Sequence, residues 1–582
     1  MSLPVDKALR KAQSHIKVGE LAEAEKLYKQ VLAKFPKNKK AIQGYQKLNV
    51  GITSRGSSGS QPPQEQIDEL VSLYNQGQFE EVLSNVKPLV SLFPKAINLF
   101  NIQGASYAAL QKYDAAVDSY KQAIKFKPNY AGAYYNMGVA LQNKGNFEET
   151  IDSYKQAIKI KPDYAEAYYN MGIALKDKGE LDAAIDSYKQ AIKIKPDYAE
   201  AYSNMSVALN DQGELDAAID SCKQAIKIKP DYAKTYYNMG TALRDKGELD
   251  AAIDSYKQAI KIKPNYAEAY YNSSFALLNI GRLKEGLDEY EWRWKTPQFL
   301  SMQRHFSQPL WDGEISLQNK RILVWCEQGL GDTLKWSSRL SVLATQSGHC
   351  ILECQEKIVP LLSRSFPNVE VKAVEISRDT ERDDFDLHLP MGSLYRHFIT
   401  EITQNSKPDA FLIPDPVRVK FWKDRLSSLG NGPNLGISWK SSDMGAERSK
   451  HFSSLSEWSS LFALPNINFI NLQYADAADG LLQIQNEFGV KVHNFDDLDQ
   501  YNNLDDVAAL SAALDCVVSF GTSVPMITAG VGTLTKCAYL ANRDYNNILG
   551  GPVGPLVEKF EKNTWEPWSN VFGLIADDIT KL

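Results

Sequence analysis

Two short segments carry residues whose type and spacing could do chemistry. In EQGLGDTLKW (327–336) two glycines, Gly329 and Gly331, permit a tight turn from a strand into a helix, and Asp332 stands at the start of that helix. The positive end of a helix dipole stabilises a carboxylate there, and the charge of Asp332 would repel a bound pyrophosphate. The segment is not a dinucleotide fingerprint, because Leu334 occupies the third glycine position. Asp332 is therefore read as a base able to take a proton from an acceptor hydroxyl, or as a residue that only holds the helix start. In SFGTSVPMITAGVG (519–532) Gly521, Thr522 and Ser523 also lie between a strand and a helix. Backbone amides and hydroxyls at such a junction form an anion nest, and the same Ser/Thr pattern serves as an ordinary helix cap.

Elements able to position these segments follow from the pattern after Leu310, where short β-branched runs alternate with helical stretches. Strands are predicted at 321–327, 349–354, 369–375 and 385–390, and again at 435–440, 467–474, 490–495, 516–521 and 535–541. Alternation of this kind predicts parallel sheets covered by helices on both faces. Two series predict two Rossmann-like lobes, 310–430 and 434–582, with ligands outside the carboxyl ends of the strands in the cleft between them.

The first half of the chain obeys a different rule. Prolines recur every 34 residues at Pro94, Pro128, Pro162, Pro196, Pro230 and Pro264, and glycines keep the same period at Gly145, Gly179, Gly213, Gly247 and Gly281. Within 131–164 the apolar residues have helical spacing on both sides of Gly145, so each unit is a helical hairpin: glycine turns the chain, and proline stops the second helix. Gly138 and Ala157 are placed for close helix approach, Tyr134, Tyr154 and Ile158 for filling the space between, and Asp163 with Glu166 for a capping box. The pattern resembles the tetratricopeptide repeat family, with tyrosine in place of the usual early tryptophan. It implies an all-α superhelix over 64–300 whose concave face suits an extended peptide or a partner helix. A divergent hairpin is expected within 1–50, near 5–38 around Gly19 and Pro36, then a helix from Lys39 to Leu48 and a Gly/Ser/Pro linker over 51–63. Asn136, Asn170, Asn204, Asn238 and Asn272 recur at one position of the first helix. Their amides could hold a peptide backbone, resembling the asparagine ladder of eukaryotic protein O-linked N-acetylglucosamine transferases, or simply belong to the repeat.

From WDGE and KRILVWCEQGLGD onward, residues 310–582 resemble bacterial proteins that join such repeats to a GT-B-type glycosyltransferase domain, and the lobe pair resembles heptosyltransferases. The resemblance implies that Asp332 is the general base, that a nucleotide-sugar sits on the C-terminal lobe, and that neither metal nor cofactor is required. In ISWKSSDMGAERSKHFSSL (437–455), Lys440 and Arg448 could neutralise a donor diphosphate as it leaves. The chain departs from the heptosyltransferase pattern at two positions, with Gly521 where an aspartate and Met526 where a histidine is usual.

Composition excludes several classes. Net charge is −6, and the lysines of the KIKP segments fall at helix ends rather than along a stripe, which argues against nucleic acid. The N-terminus has no apolar signal core and no run long enough to span a membrane, so a cytoplasmic location is expected. Six cysteines in apolar segments read as reduced core residues. Asp384 and Asp386 have a metal-binding DxD spacing but open an apolar strand, and His388, His451 and His493 are scattered. Trp292 and Trp294 are expected to form a hydrophobic join between repeats and lobes, and Trp565 and Trp568 to pack on a sheet edge. The leading expectation is a glycosyltransferase whose acceptor is recruited by the repeats; the alternative is a non-catalytic scaffold with a degenerate transferase-like domain.

Overall fold

A computed structural model describes residues 5–17, 20–35, 38–45, 48, 61–327, 329–375, 382–398, 410–441, 451–474, 476–540, 557–562 and 566–581. The chain divides into two compact units, 1–201 and 202–582.

The first unit is built from helical hairpins. Gln64–Asn75 pairs with Phe79–Leu92, Ile97–Ala109 with Tyr113–Phe126, Ala131–Lys144 with Phe147–Ile160, and Ala165–Asp177 with Leu181–Ile194. Gly145 caps its helix in the left-handed region at φ 82°, which explains the recurring glycine. The helix before Pro162 ends at Ile160, and Lys161 lies over the Tyr164 ring at 4.5 Å. The lysine of each KP pair in this register does the same, which ties those hairpins to the turns that follow them. Close approach is real: a Cβ on Gly138 would lie 2.7 Å from the ring of Tyr154, and Gly172 stands equally near Tyr188. The capping box does not form, because Tyr164 is the N-cap and no side chain caps that helix. Two further helices, Val5–Lys17 and Leu21–Lys34, pack through Ala12, Ala24 and Tyr28, while Gly19 and Pro36 lie outside the described residues.

The second unit continues the hairpins and then changes class. Ala233–Lys246 pairs with Leu249–Ile262, and Ala267–Asn279 with Leu283–Tyr290. In the divergent repeat that begins near 199, Ser206 and Cys222 occupy the places held by glycine and tyrosine in the repeats on either side. Beyond the last hairpin the chain forms two all-parallel sheets. The first contains β1 (Arg321–Trp325), β2 (His349–Cys354), β3 (Val369–Ala373) and β4 (Leu387–Pro390) in the order β3-β2-β1-β4. The second contains β5 (Asn434–Ser438), β6 (Asn468–Asn471), β7 (Val492–His493), β8 (Cys516–Phe520), β9 (Thr535–Leu540) and β10 (Val557–Lys562) in the order β10-β9-β8-β5-β6-β7.

Both orders run outward from the first strand and then jump to its other side, so each sheet has a switch point: β1 beside β4, and β5 beside β8. The jump is dictated by hydrophobicity, since β1 and β8 are buried along almost their whole length and can only be central. One apolar core links both sheets and the last hairpin, with Leu278 and Leu287 joined to Val324, Trp422, Leu472 and Val524. The sheets are also tied by Arg364, whose guanidinium grips Asp505 at 2.6 and 2.5 Å. Strand β10 was not expected: four of the six residues of VEKFEK are charged, as suits the sheet edge it occupies.

Candidate functional site at the sheet exits

At the carboxyl end of β1 the chain turns through Gly329 into the helix Leu330–Ser337, with Asp332 in its first turn. At the carboxyl end of β8 it turns through Gly521 into the helix Ser523–Gly530. These two helix starts face each other. A Cβ on Gly331 would lie 3.5 Å from Ser523 Cα and 3.6 Å from the carbonyl oxygen of Thr522. Asp332 is the next residue along. Thus Asp332, Gly521, Thr522 and Ser523, from two sheets, share one region outside the carboxyl ends of the strands.

The individual roles differ. Thr522 Oγ1 accepts the Val524 N–H at 3.3 Å, so its hydroxyl caps the helix. Lys440 leaves β5 with its main chain held by Gln473, whose Oε1 accepts the Trp439 and Lys440 N–H groups at 3.0 and 2.9 Å while Nε2 donates to the Lys440 carbonyl at 2.9 Å. Sequence reasoning missed Gln473, just past the end of β6; its burial beside β5 gives it this work. Arg448 lies outside the described residues. Met526 is 6% exposed and sits in the core shared by both sheets, so the position of the missing histidine faces inward.

The last hairpin reaches the same region. Burial pushes the Tyr271 hydroxyl upward in pKa, the Arg293 guanidinium opposes this, and the carboxylates of Asp332 and Glu327 add to it. Trp294 packs on Trp325 of β1 with ring centroids 5.6 Å apart, and Trp292 stacks on Tyr270 at 3.8 Å, so the aromatic join forms. It also contains a buried charge that the sequence did not announce. Arg293 is fully buried and donates to Glu327 through Nε at 2.9 Å and Nη2 at 3.0 Å.

Other candidates resolve into structure. Asp384 pairs with Arg382, and Asp386 accepts from the main chain and guanidinium of Arg321, which makes the DxD segment a strand entry. His388 Nδ1 lies 3.3 Å from the Trp325 indole N–H. Burial pushes the Cys326 and Cys350 thiols up to about 12, as befits core residues. Trp568 is buried edge-on against Phe520, while Trp565 lies outside the described residues.

The asparagine column has a specific use. Asn136 Nδ2 donates to Asn101 at 3.0 Å, Asn170 to the Tyr135 hydroxyl at 2.9 Å and Asn272 to the Tyr237 hydroxyl at 2.7 Å. Asn238 donates to the carbonyl and hydroxyl of Ser203, and Asn204 accepts from Lys234 at 3.1 Å. Each donor thus joins its hairpin to the one before, 35 residues back. In the first unit Asn101 and Asn136 also line a cavity of about 410 Å³ with Tyr74, Ile102, Tyr120 and Val139.

The TPR repeat family matches residues 104–145, 143–179, 174–209, 207–243 and 240–281. Residues 104–281 are tetratricopeptide repeats. Protein FlbA of Caulobacter vibrioides is 32% identical over 283 residues, which cover 46% of this chain and 47% of FlbA. The peroxisomal targeting signal receptor of Candida albicans is 35% identical over 75 residues, 13% of either chain. The chain therefore spans less than half the length of these curated relatives. Among solved structures, MamA is 30% identical over 28% of this chain and 96% of its own, with a TM-score of 0.27. YrrB, a TPR protein described as having an unusual peptide-binding site, is 20% identical over 32% of this chain and 95% of its own, with a TM-score of 0.29. No helix among the described residues is long and apolar enough to cross a membrane.

Proposed function

We propose that the protein is a GT-B-type glycosyltransferase of the cytoplasm that moves a sugar from a nucleotide donor to a protein or peptide acceptor recruited by the tetratricopeptide repeats. One observation carries this reading: the turn bearing Asp332 and the turn formed by Gly521, Thr522 and Ser523 meet outside the carboxyl ends of two parallel sheets, each beside its switch point. Asp332 takes the proton of the acceptor hydroxyl as its oxygen bonds to the sugar carbon. The bond from that carbon to the donor phosphate breaks, and the nucleotide leaves with the bonding pair. The main-chain N–H groups of Gly521 and Ser523, with Lys440 and Arg448, stabilise the departing charge without a metal ion, while the Thr522 N–H is held by the Phe520 carbonyl at 2.7 Å. The test is Asp332→Asn, which should retain donor binding and lose transfer; unchanged turnover would remove Asp332 from the role of base.

A second reading has its own support. Met526 faces the core and the Thr522 hydroxyl caps a helix, so a non-catalytic scaffold that binds partners through the repeats accounts for both. It predicts that no nucleotide-sugar binds.

A further inference from the structure

Arg293 lies where the repeats end, in the short segment after the helix Leu283–Tyr290. Its two donors to Glu327 form a parallel fork, Nη2 also donates to Ser393 Oγ at 2.9 Å, and Nη1 donates to Glu291 at 2.8 Å and to the Tyr290 carbonyl at 3.3 Å. The guanidinium is sandwiched 4.5 Å from the Tyr290 ring and 4.6 Å from the Trp294 ring. Glu327 Oε1 in turn accepts the Gly392 N–H at 2.5 Å, and a Cβ on Gly392 would overlap that oxygen. Glu327 follows β1, and Gly392 and Ser393 follow β4. These are the two exits that flank the first sheet's switch point.

We propose that Arg293 is a positioning residue of the sheet-exit site, lying in the segment that follows the last hairpin and fixing the turn carrying Asp332 by tying Glu327 to Gly392 and Ser393. The inference rests on the transferase reading of that site. A buried ion pair is a poor source of stability, since apolar residues of similar volume often replace it without loss; what the pair supplies is one fixed geometry. Only the planar fork of arginine meets Glu327 and Ser393 together, so lysine keeps the charge and loses the arrangement. Tyr290 occupies the repeat position of Tyr154, Tyr188 and Tyr256, so the last hairpin's own core residue backs the arginine.

The experiment is hydrogen exchange by mass spectrometry on the full chain, comparing the natural sequence with Arg293→Lys and with the doubly apolar Arg293→Met, Glu327→Met. Exchange at 329–337 and 391–397 should rise about tenfold or more in both variants, while β8, β9 and the repeats 131–194 keep their natural rates. Unchanged exchange at 329–337 would overturn the proposal. A uniform rise across 202–582 would also overturn it, by giving the pair a merely structural role. The measurement needs no donor, so a failure of the natural chain to bind any nucleotide-sugar would sink the transferase reading and leave this one to be decided by 329–337.

Discussion

Gly331 and Ser523 come from different sheets and stand in contact, with 3.5 Å between a Cβ built on Gly331 and Ser523 Cα. The contact brings Asp332 beside the turn Gly521–Ser523 of the second sheet, where the proposed transferase would hold its donor phosphates. Asp332→Asn removes a carboxylate from the first turn of a helix, which costs about 0.3–1 kcal/mol of dipole interaction and leaves the fold intact. Donor affinity should be unchanged within twofold and transfer should fall by about a hundredfold or more, the scale on which a positioned base acts. Steady-state kinetics beside calorimetric donor titration checks this.

The hydrogen bond from Asn170 to the Tyr135 hydroxyl should act as a clasp between hairpins. Asn170→Ala and Tyr135→Phe should each cost about 1 kcal/mol, and the double variant should cost less than the sum. Urea unfolding of the repeats followed by circular dichroism supplies the three values. Strict additivity would return the asparagine column to ligand binding alone.

Gly172 and Tyr188 fit each other as Ser206 and Cys222 do in the divergent repeat. Placing serine at Gly172 drives its Cβ to 2.7 Å from the Tyr188 ring and should cost about 1–3 kcal/mol. Adding Tyr188→Cys should restore part of that loss, because the smaller side chain vacates the space. A double variant less stable than Gly172→Ser in thermal unfolding would contradict the pairing.

Acid stability should report on His388. Burial, with the Arg304 guanidinium adding to it, lowers its pKa from 6.5 to about 4. The unfolded chain then takes up the proton more readily than the folded one, so this contribution is complete above about pH 6.5 and fades as pH falls toward 4. His388→Gln keeps an acceptor for the Trp325 indole and removes the titration. The fall in melting temperature between pH 6.5 and 4 should shrink in that variant; an identical fall would assign it to other groups.

The repeats were legible because each unit announces itself by backbone chemistry: Gly145 needs a positive φ, and Pro162 cannot continue a helix. Strand runs such as RILVWCE and CVVSFG were legible because both faces are buried. The charged strand VEKFEK was hidden by its edge position. The capping box failed at Asp163 because Tyr164, held by Lys161, takes the cap position. Within the candidate site, Asp332 and 521–523 could be read as strand-to-helix junctions, but their meeting depends on how the sheets pack. Arg293 and Gln473 were illegible for the same reason, since each acts on residues 34 and 33 positions away through tertiary contacts.

Whether the site binds a nucleotide-sugar at all is the most direct question. Calorimetric titration of the full chain with UDP-, GDP-, CMP- and ADP-linked sugars should give saturable heat with one nucleotide class, weakened at least tenfold by Lys440→Ala. No heat with any of the four would contradict the transferase account and leave the scaffold reading in its place.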